Sequence, residues 1–224
     1  MSSTAEPGRC IAVFDLDGTL TWRDTFMPFL VSFLRRHPRR VLRLWRLPHA
    51  MLSYLAQGRD RGLLKSRLIR IVLGGAARAA VDACAAAFVA AFETQHRLRP
   101  AALGALEAHR AAGDLLVLLS ASPDLYVPRL GRALGFERTL CTEIEWRDGR
   151  LDGALKTPNR RGAEKSRCLA ALRAAYQGLP VVAYGNGDSD VEHLLEADRA
   201  LLVNGNARAR ARAARCGIPT ADWM

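Results

Sequence analysis

Cysteine is sparse in this 224-residue chain, and what there is does not pair. Cys10, Cys84, Cys141, Cys168 and Cys216 are odd in number and form no C-x-x-C. Neither a zinc cluster nor a disulfide framework is supported, which suits a reducing compartment. Histidine is scarce too. His37, His49, His96, His109 and His193 never fall at H-E-x-x-H spacing, so each reads as a core or surface residue rather than a ligand. No apolar run approaches the roughly 20 residues that a membrane-spanning helix requires. The stretch from Met1 to Arg9 has no basic segment leading an apolar one, which argues against a signal peptide, and the expected compartment is the cytoplasm.

Lysine is nearly missing: Lys65, Lys156 and Lys165 are the only ones, so the net charge of +11 rests on arginine. Those arginines are spread along the whole chain beside abundant alanine, a compositional bias rather than a patch, and a nucleic-acid partner is not expected. Half of the residues are hydrophobic and a quarter charged, which excludes intrinsic disorder. The length suits one α/β domain with an inserted subdomain.

Three short apolar runs end abruptly in polar or glycine residues: Ile11–Phe14 before Asp15, Leu115–Leu119 before Ser120, and Val181–Tyr184 before Gly185. They read as buried strands of a parallel sheet, with Ala200–Val203 a weaker fourth. Helical patterns lie between them at Pro100–Ala112, Pro123–Leu134 and Gly162–Tyr176, giving an α/β doubly wound core. From Trp22 to Arg99 the alternation stops. That span exceeds any crossover helix and implies a helical insertion, with the core at 1–21 and 98–224 and the insertion at 22–97. Asp148-Gly149, between alternating segments, predicts a hairpin within 141–155.

In an open parallel sheet, ligands bind beyond the carboxyl ends of the strands, and the polar residues sit there. The first strand delivers Asp15-Leu16-Asp17-Gly18-Thr19-Leu20. Two carboxylates so close repel and call for a cation, and they suit a nucleophile (Asp15) and a general acid/base (Asp17). The second strand ends in Ser120-Ala121-Ser122-Pro123. Ser122 reads as a helix N-cap with Pro123 at the first helical position, leaving Ser120 a free hydroxyl beside helix amides that favour a phosphate. Lys165 stands at a helix start, after Asn159-Arg160-Arg161-Gly162. The third strand ends in Gly185-Asn186-Gly187-Asp188-Ser189-Asp190, a loop rich in the oxygen ligands that a hard metal ion takes.

In this order, the four segments resemble the motifs of the haloacid dehalogenase (HAD) superfamily, most of all its phosphoserine-phosphatase-like subgroup (subfamily IB). The resemblance covers nearly the whole chain, and the helical insertion falls where that family carries its cap. It implies that Asp15 attacks phosphorus to form an aspartyl-phosphate and that Asp17 protonates the leaving group and then activates water. Ser120, Ala121 and Lys165 would hold the phosphoryl oxygens, and Mg2+ would bind Asp15, the Asp17 carbonyl and the fourth motif. There, Asn186 stands where the family usually has its first acid, with Asp190 second. A register shifted by two would use Asp188 and Glu192 instead.

The resemblance also implies that the insertion sets specificity. Asp24 falls near the position facing the substrate's amino group in phosphoserine phosphatases, and Lys65, Arg67 and Arg70, on one candidate helix, suit a carboxylate or second phosphate. The segment from Arg35 to Pro48 is basic and apolar together, which suits either an anionic membrane surface or packing within the insertion. It is similar to the caps of phosphatidylglycerophosphate phosphatases. The expected function is a magnesium-dependent phosphomonoesterase of a small phosphorylated metabolite. The alternatives are a phosphatase of a lipid head group and a non-catalytic Arg-rich binding protein.

Overall fold

The computed structural model of the chain describes residues 9–95 and 97–224. His96 and the amino-terminal stretch up to Gly8 lie outside the described residues. The first strand, β1 (Ile11–Phe14), occupies the middle of a six-stranded sheet and is wholly buried. It is followed by four helices, α1 (Phe26–Arg36), α2 (Leu47–Ala56), α3 (Arg61–Val72) and α4 (Arg78–Thr94), with a 3-10 stretch at Pro38–Arg46 between α1 and α2. The alternation then resumes as expected. It runs through α5 (Pro100–Ala111), β2 (Leu115–Pro123), α6 (Val127–Ala133) and β3 (Arg138–Thr142), then a hairpin of β4 (Ile144–Arg147) and β5 (Arg150–Leu155). The chain ends with α7 (Ala163–Ala175), β6 (Val181–Gly185), α8 (Val191–Leu195), β7 (Arg199–Val203), α9 (Ala207–Arg215) and the short β8 (Thr220–Ala221).

The sheet order is β3-β2-β1-β6-β7-β8, every pair parallel, with Ile11 opposite Leu115 on one side and Val181 on the other. Because side chains alternate along a strand, β1 feeds two cores. Ala12 and Phe14 join the cluster that includes the inserted helices, α5 and α6, while Ile11 and Val13 join the one covered by α7, α8 and α9. The order of strands turns at β1, so a crevice opens at the carboxyl ends of β2, β1 and β6.

The insertion leaves and re-enters the core side by side, with Thr21 bridged to Leu98 and the amide of Arg99 donating to the Leu20 carbonyl at 2.9 Å. Aromatic rings from α1 and α4 close on Tyr126, just ahead of α6: Phe29 lies 4.6 Å and Phe88 5.3 Å away between ring centroids. Asp60 caps α3 by accepting from the amides of Gly62 and Leu63. At the hairpin tip Asp148 and Gly149 both take positive φ, 48° and 71°, the conformation a two-residue type I′ turn demands.

One expectation fails here. The segment from Pro123 is not helical: β2 continues to Pro123, which pairs with Thr142, and α6 starts only at Val127. Local capping chemistry favoured a helix, but pairing with β3 and a carboxylate partner for Ser122, described below, override it.

At the opposite end of the sheet, Asp114 binds the Cys10 amide (2.7 Å) and His109 Nδ1 (2.6 Å), and His109 Nε2 meets the Tyr184 hydroxyl (2.8 Å). Cys10, His109 and Asp114 could converge on an ion, but hydrogen bonds already occupy the carboxylate and the ring. Burial alone would raise the Asp114 carboxyl, yet the bonds from His109 and the Cys10 amide hold it below the ordinary value. A depressed carboxyl contributes stability above its unfolded pKa and loses it as pH falls through the folded one. Asp114→Ala, which orphans the Cys10 amide, is expected to lower unfolding free energy by about 2 kcal/mol at neutral pH. Denaturant titrations should show that deficit shrinking below about pH 4.

Candidate active site

Three strand ends converge on one site. Directly after β1 the chain makes a wide turn over Leu16–Leu20, closed by the amide of Thr21 on the Leu16 carbonyl at 3.1 Å. Gly18 takes φ +87° there, and a Cβ on it would lie 1.9 Å from Asn186 Nδ2. Glycine is thus required twice, by the backbone and by the close seat of Asn186.

α7 places Lys165 in the buried space between the first and fourth motifs. Its ammonium donates to Asp15 Oδ1 at 2.6 Å and to Asp190 Oδ1 at 2.8 Å. Thr19 donates to Asp15 Oδ2 at 3.1 Å, and the amides of Asn186 and Gly187 donate to Asp190 Oδ2 at 3.2 and 2.8 Å. Burial pushes the Asp15 carboxyl up to about 7, opposed by Lys165 and reinforced by Asp190 and Asp17. Burial would raise Asp190 as well, but the Lys165 charge together with the hydrogen bonds from Lys165 and the Gly187 amide holds that carboxyl down to about 2. Burial, reinforced by the Lys165 charge, lowers the nearby His193 to about 3, so its ring is neutral at physiological pH.

Asp17 is held by two elements. Its Oδ1 accepts from the Thr25 amide (2.7 Å) and hydroxyl (2.6 Å), at the entrance to α1, and its Oδ2 accepts from Ser122 Oγ (2.6 Å) on β2. Burial raises its carboxyl, against the pull of these donors. Ser122 is therefore not an N-cap. Ser120 is fully buried, and its Oγ accepts the Ser122 amide at 3.0 Å, which leaves its own O–H to donate. Of that tip, Ala121 is the residue that lines the cavity.

The cavity holds about 200 Å³ and is walled by Asp15, Asp17, Asp24, Lys165, Asn186 and Asp190, with Arg61, Lys65, Asn159 and Arg161 facing them. Asp24 lines this cavity and accepts from the Met27 amide at 2.9 Å. Arg67 and Arg70 instead line a separate cavity on the other face of α3, and Arg70 pairs with Asp152 at 2.9 Å. The helical period explains it, since residues two and five positions from Lys65 point roughly opposite it, whereas Arg61, four positions back, shares its face. Lys65 reaches across to the Ala121 carbonyl and Asn159 Oδ1, and burial lowers its ammonium to about 8. Asp188 faces Arg208 (3.3 Å) and Arg212 (3.6 Å), and Glu192 also faces Arg212 (3.5 Å), all on α9. Of the two candidate pairs, Asn186 and Asp190 line the cavity and Asp188 and Glu192 do not.

Sequence reading missed Thr25, Ser122, Tyr126, Arg61 and Arg161. The i, i+4 spacing of Arg61 and Lys65 was a usable signal. Thr25 and Ser122 carried none, because only the fold brings them to Asp17. Asp15, Asp17 and Asp190 with the Asn186 amide form an all-oxygen donor set offset by one buried ammonium, which fits a hard divalent cation such as magnesium.

The topology and the site together define an α/β core of parallel strands, with a helical insertion after the first strand and a carboxylate-lined cavity at the strand ends. A family model described as haloacid dehalogenase-like hydrolase matches residues 12–195, and the chain belongs to that family. It is 38% identical over 192 residues to Protein CicA of Caulobacter vibrioides (strain NA1000 / CB15N), covering 84% of this chain and 83% of that protein. Among solved structures, a protein of unknown function from Bordetella pertussis Tohama I aligns with TM-score 0.76 at 23% identity, covering 96% of this chain and 99% of the other. A phospho-aspartyl intermediate analogue of phosphoserine phosphatase aligns with TM-score 0.62 at 15% identity, covering 91% and 90%. Both structural likenesses concern the fold, which is that of phosphoserine-phosphatase-like members of the family.

Gly18→Ala is expected to displace the Asn186 amide and cost about 1–2 kcal/mol through the positive φ. A shifted Asn186 side-chain resonance in an amide NMR spectrum, with the fold retained, checks this, and an unmoved resonance contradicts it.

Proposed function

We propose that this chain is a magnesium-dependent phosphomonoester hydrolase that works through an aspartyl-phosphate on Asp15. The observation that carries the reading is the buried ammonium of Lys165 bonded to both Asp15 and Asp190, with Asp17 fixed beside them. Such an arrangement suits attack by one carboxylate on a dianionic phosphate, whose charge Lys165 and a metal together offset. Asp15, the Asp17 carbonyl, Asn186 and Asp190 would hold the magnesium, which when bound supplies Lewis-acid stabilisation of the phosphoryl oxygens.

An Asp15 oxygen attacks phosphorus as the ester P–O bond breaks, and Asp17 gives its proton to the departing alkoxide. Thr25 and Ser122 keep that carboxyl aimed, and its burial favours the protonated form this step needs. Asp17, now ionised, takes a proton from water, which attacks phosphorus and releases Asp15 and inorganic phosphate.

The substrate is a small phosphorylated metabolite, phosphoserine-like in carrying a second anionic group. That is supported by Arg61, Lys65 and Arg161 around a cavity of only about 200 Å³. The cap would be residues 22–97 on a core of 1–21 and 98–224, a division supported by the Thr21–Leu98 bridge.

A hydrolysis screen over phosphorylated amino acids, sugars, nucleotides and lipids, with and without magnesium, tests the reading. Asp15→Asn should abolish turnover while keeping the wild-type fold, and substantial turnover by the purified variant would sink the mechanism. Asp17→Asn should lose about 10²–10⁴-fold in kcat. Asn186→Asp adds an anionic ligand and should lower half-saturating magnesium, whereas Asp188→Ala should leave it nearly unchanged.

A further inference from the structure

Between Asp24 and Asp60 the insertion has no acidic residue, while arginine recurs at positions 35, 36, 39, 40, 43, 46 and 59. In a water-exposed amphipathic segment the arginines would face solvent and the apolar side chains the core. In the 3-10 stretch Pro38–Arg46, Arg40 and Arg43 do the reverse, as do Val41, Leu42 and Trp45. Arg40 Nη1 donates to the carbonyls of Val72 (3.1 Å) and Gly74 (3.0 Å), and Arg43 Nη1 donates to Gly74 (2.6 Å), so both are spent on the carboxyl end of α3. Val41, Leu42 and Trp45 turn outward, and α2, which buries only Ala50, continues the surface with Met51, Leu52 and Leu55. Leu42 is 79% exposed, Trp45 74%, Leu52 66% and Leu55 54%. Six large apolar side chains exposed within fifteen consecutive residues form a patch, not the scatter every protein shows.

Arg35, Arg36, Arg39 and Arg46 stand exposed in the same segment, Arg46 over the Trp45 ring at 5.4 Å. Beside Trp45 a cavity of about 350 Å³ opens between Arg46, His49, Arg67 and Arg70, and Arg67 Nη1 in its wall is buried without a hydrogen-bond partner among the described residues.

We propose that this face, Val41 to Leu55 with its surrounding arginines, docks the protein on an anionic phospholipid surface. The aliphatic and indole side chains enter the headgroup–acyl boundary, and the exposed arginines meet lipid phosphates. Charge complementarity selects this occupant. A second copy of the chain would bring the same arginines against these ones, and a nucleic acid has no use for Leu42, Leu52 and Leu55. The face lies on the side of α3 away from the cavity that Arg61 and Lys65 line, so docking leaves that cavity open.

Sedimentation with vesicles of equimolar phosphatidylcholine and phosphatidylglycerol tests it. Binding is expected at low ionic strength and not with pure phosphatidylcholine, with release at about 0.5 M salt as the charges are screened. Leu42→Ser/Leu52→Ser should weaken binding about tenfold or more. With brominated acyl chains, tryptophan emission should be quenched in the wild type, and most of that quenching should vanish in Trp45→Phe, a conservative surface change. Three results would overturn the proposal: no binding at low salt, quenching undiminished in Trp45→Phe, or a dimer that Leu42→Ser/Leu52→Ser dissolves. The readout needs no turnover, so it stands or falls apart from the hydrolase reading, and these variants should hydrolyse a soluble aryl phosphate as the wild type does.

Discussion

The buried ammonium of Lys165, bonded to Asp15 after β1 and to Asp190 after β6, is the contact on which the site depends. Two carboxylates at neighbouring strand ends, each almost wholly withdrawn from water, would each lose several kcal/mol of hydration. Lys165 offsets part of that cost for both at once, and the Gly187 and Asn186 amides complete the shell of Asp190. Asp15 and Asp190 face one another across the crevice because α7 delivers a cation between them. With Asp17 included the carboxylates still outnumber the buried ammonium, a surplus that suits a divalent cation.

A second chain of contacts ties this centre to the insertion. Ser122 on β2 and Thr25 at the mouth of α1 grip the two oxygens of Asp17, and Thr25 in turn meets the Tyr126 hydroxyl at 2.7 Å. Tyr126 is packed by Phe29 and Phe88. The orientation of one carboxylate therefore rests on aromatic packing between inserted helices and the core, so the first turn of the insertion is part of the site's scaffold. α3 works on two sides. One face sends Arg61 and Lys65 to the cavity, and the other sends Arg67 and Arg70 outward beside an apolar, arginine-rich surface.

Much of this was legible beforehand for identifiable reasons. Buried parallel strands must be short and apolar and must end where the chain meets solvent. Ile11–Phe14 and Val181–Gly185 consequently appear within a residue of their expected limits. The hairpin turn was legible because Asp148-Gly149 accommodates positive φ at low cost. What misled was local chemistry with two uses. Ser122-Pro123 makes a good helix start, but Ser122 is also a hydroxyl within reach of Asp17, and pairing with β3 kept the strand going. Arg67 and Arg70 were placed with Lys65 because they share a helix, although the 100° step between residues sends them to its opposite face.

By itself the sequence determined four of the six parallel strands, the position and helical character of the insertion, and the carboxylates, amide and lysine of the centre. These depend on backbone periodicity and on side-chain chemistry that each stretch carries within itself. Only the tertiary structure decided that Thr25 and Ser122 hold Asp17, eight and 105 residues away. It also set Asn186 and Asp190 at the cavity while Asp188 and Glu192 turn to α9. The turning of Arg40 and Arg43 to α3, with Leu42 and Trp45 outward, was equally a tertiary decision. The physical reason is common to all three. Each is settled by a partner supplied from a distant segment, a carboxylate, an arginine or a set of helix-end carbonyls, and no local pattern records where such a partner will be.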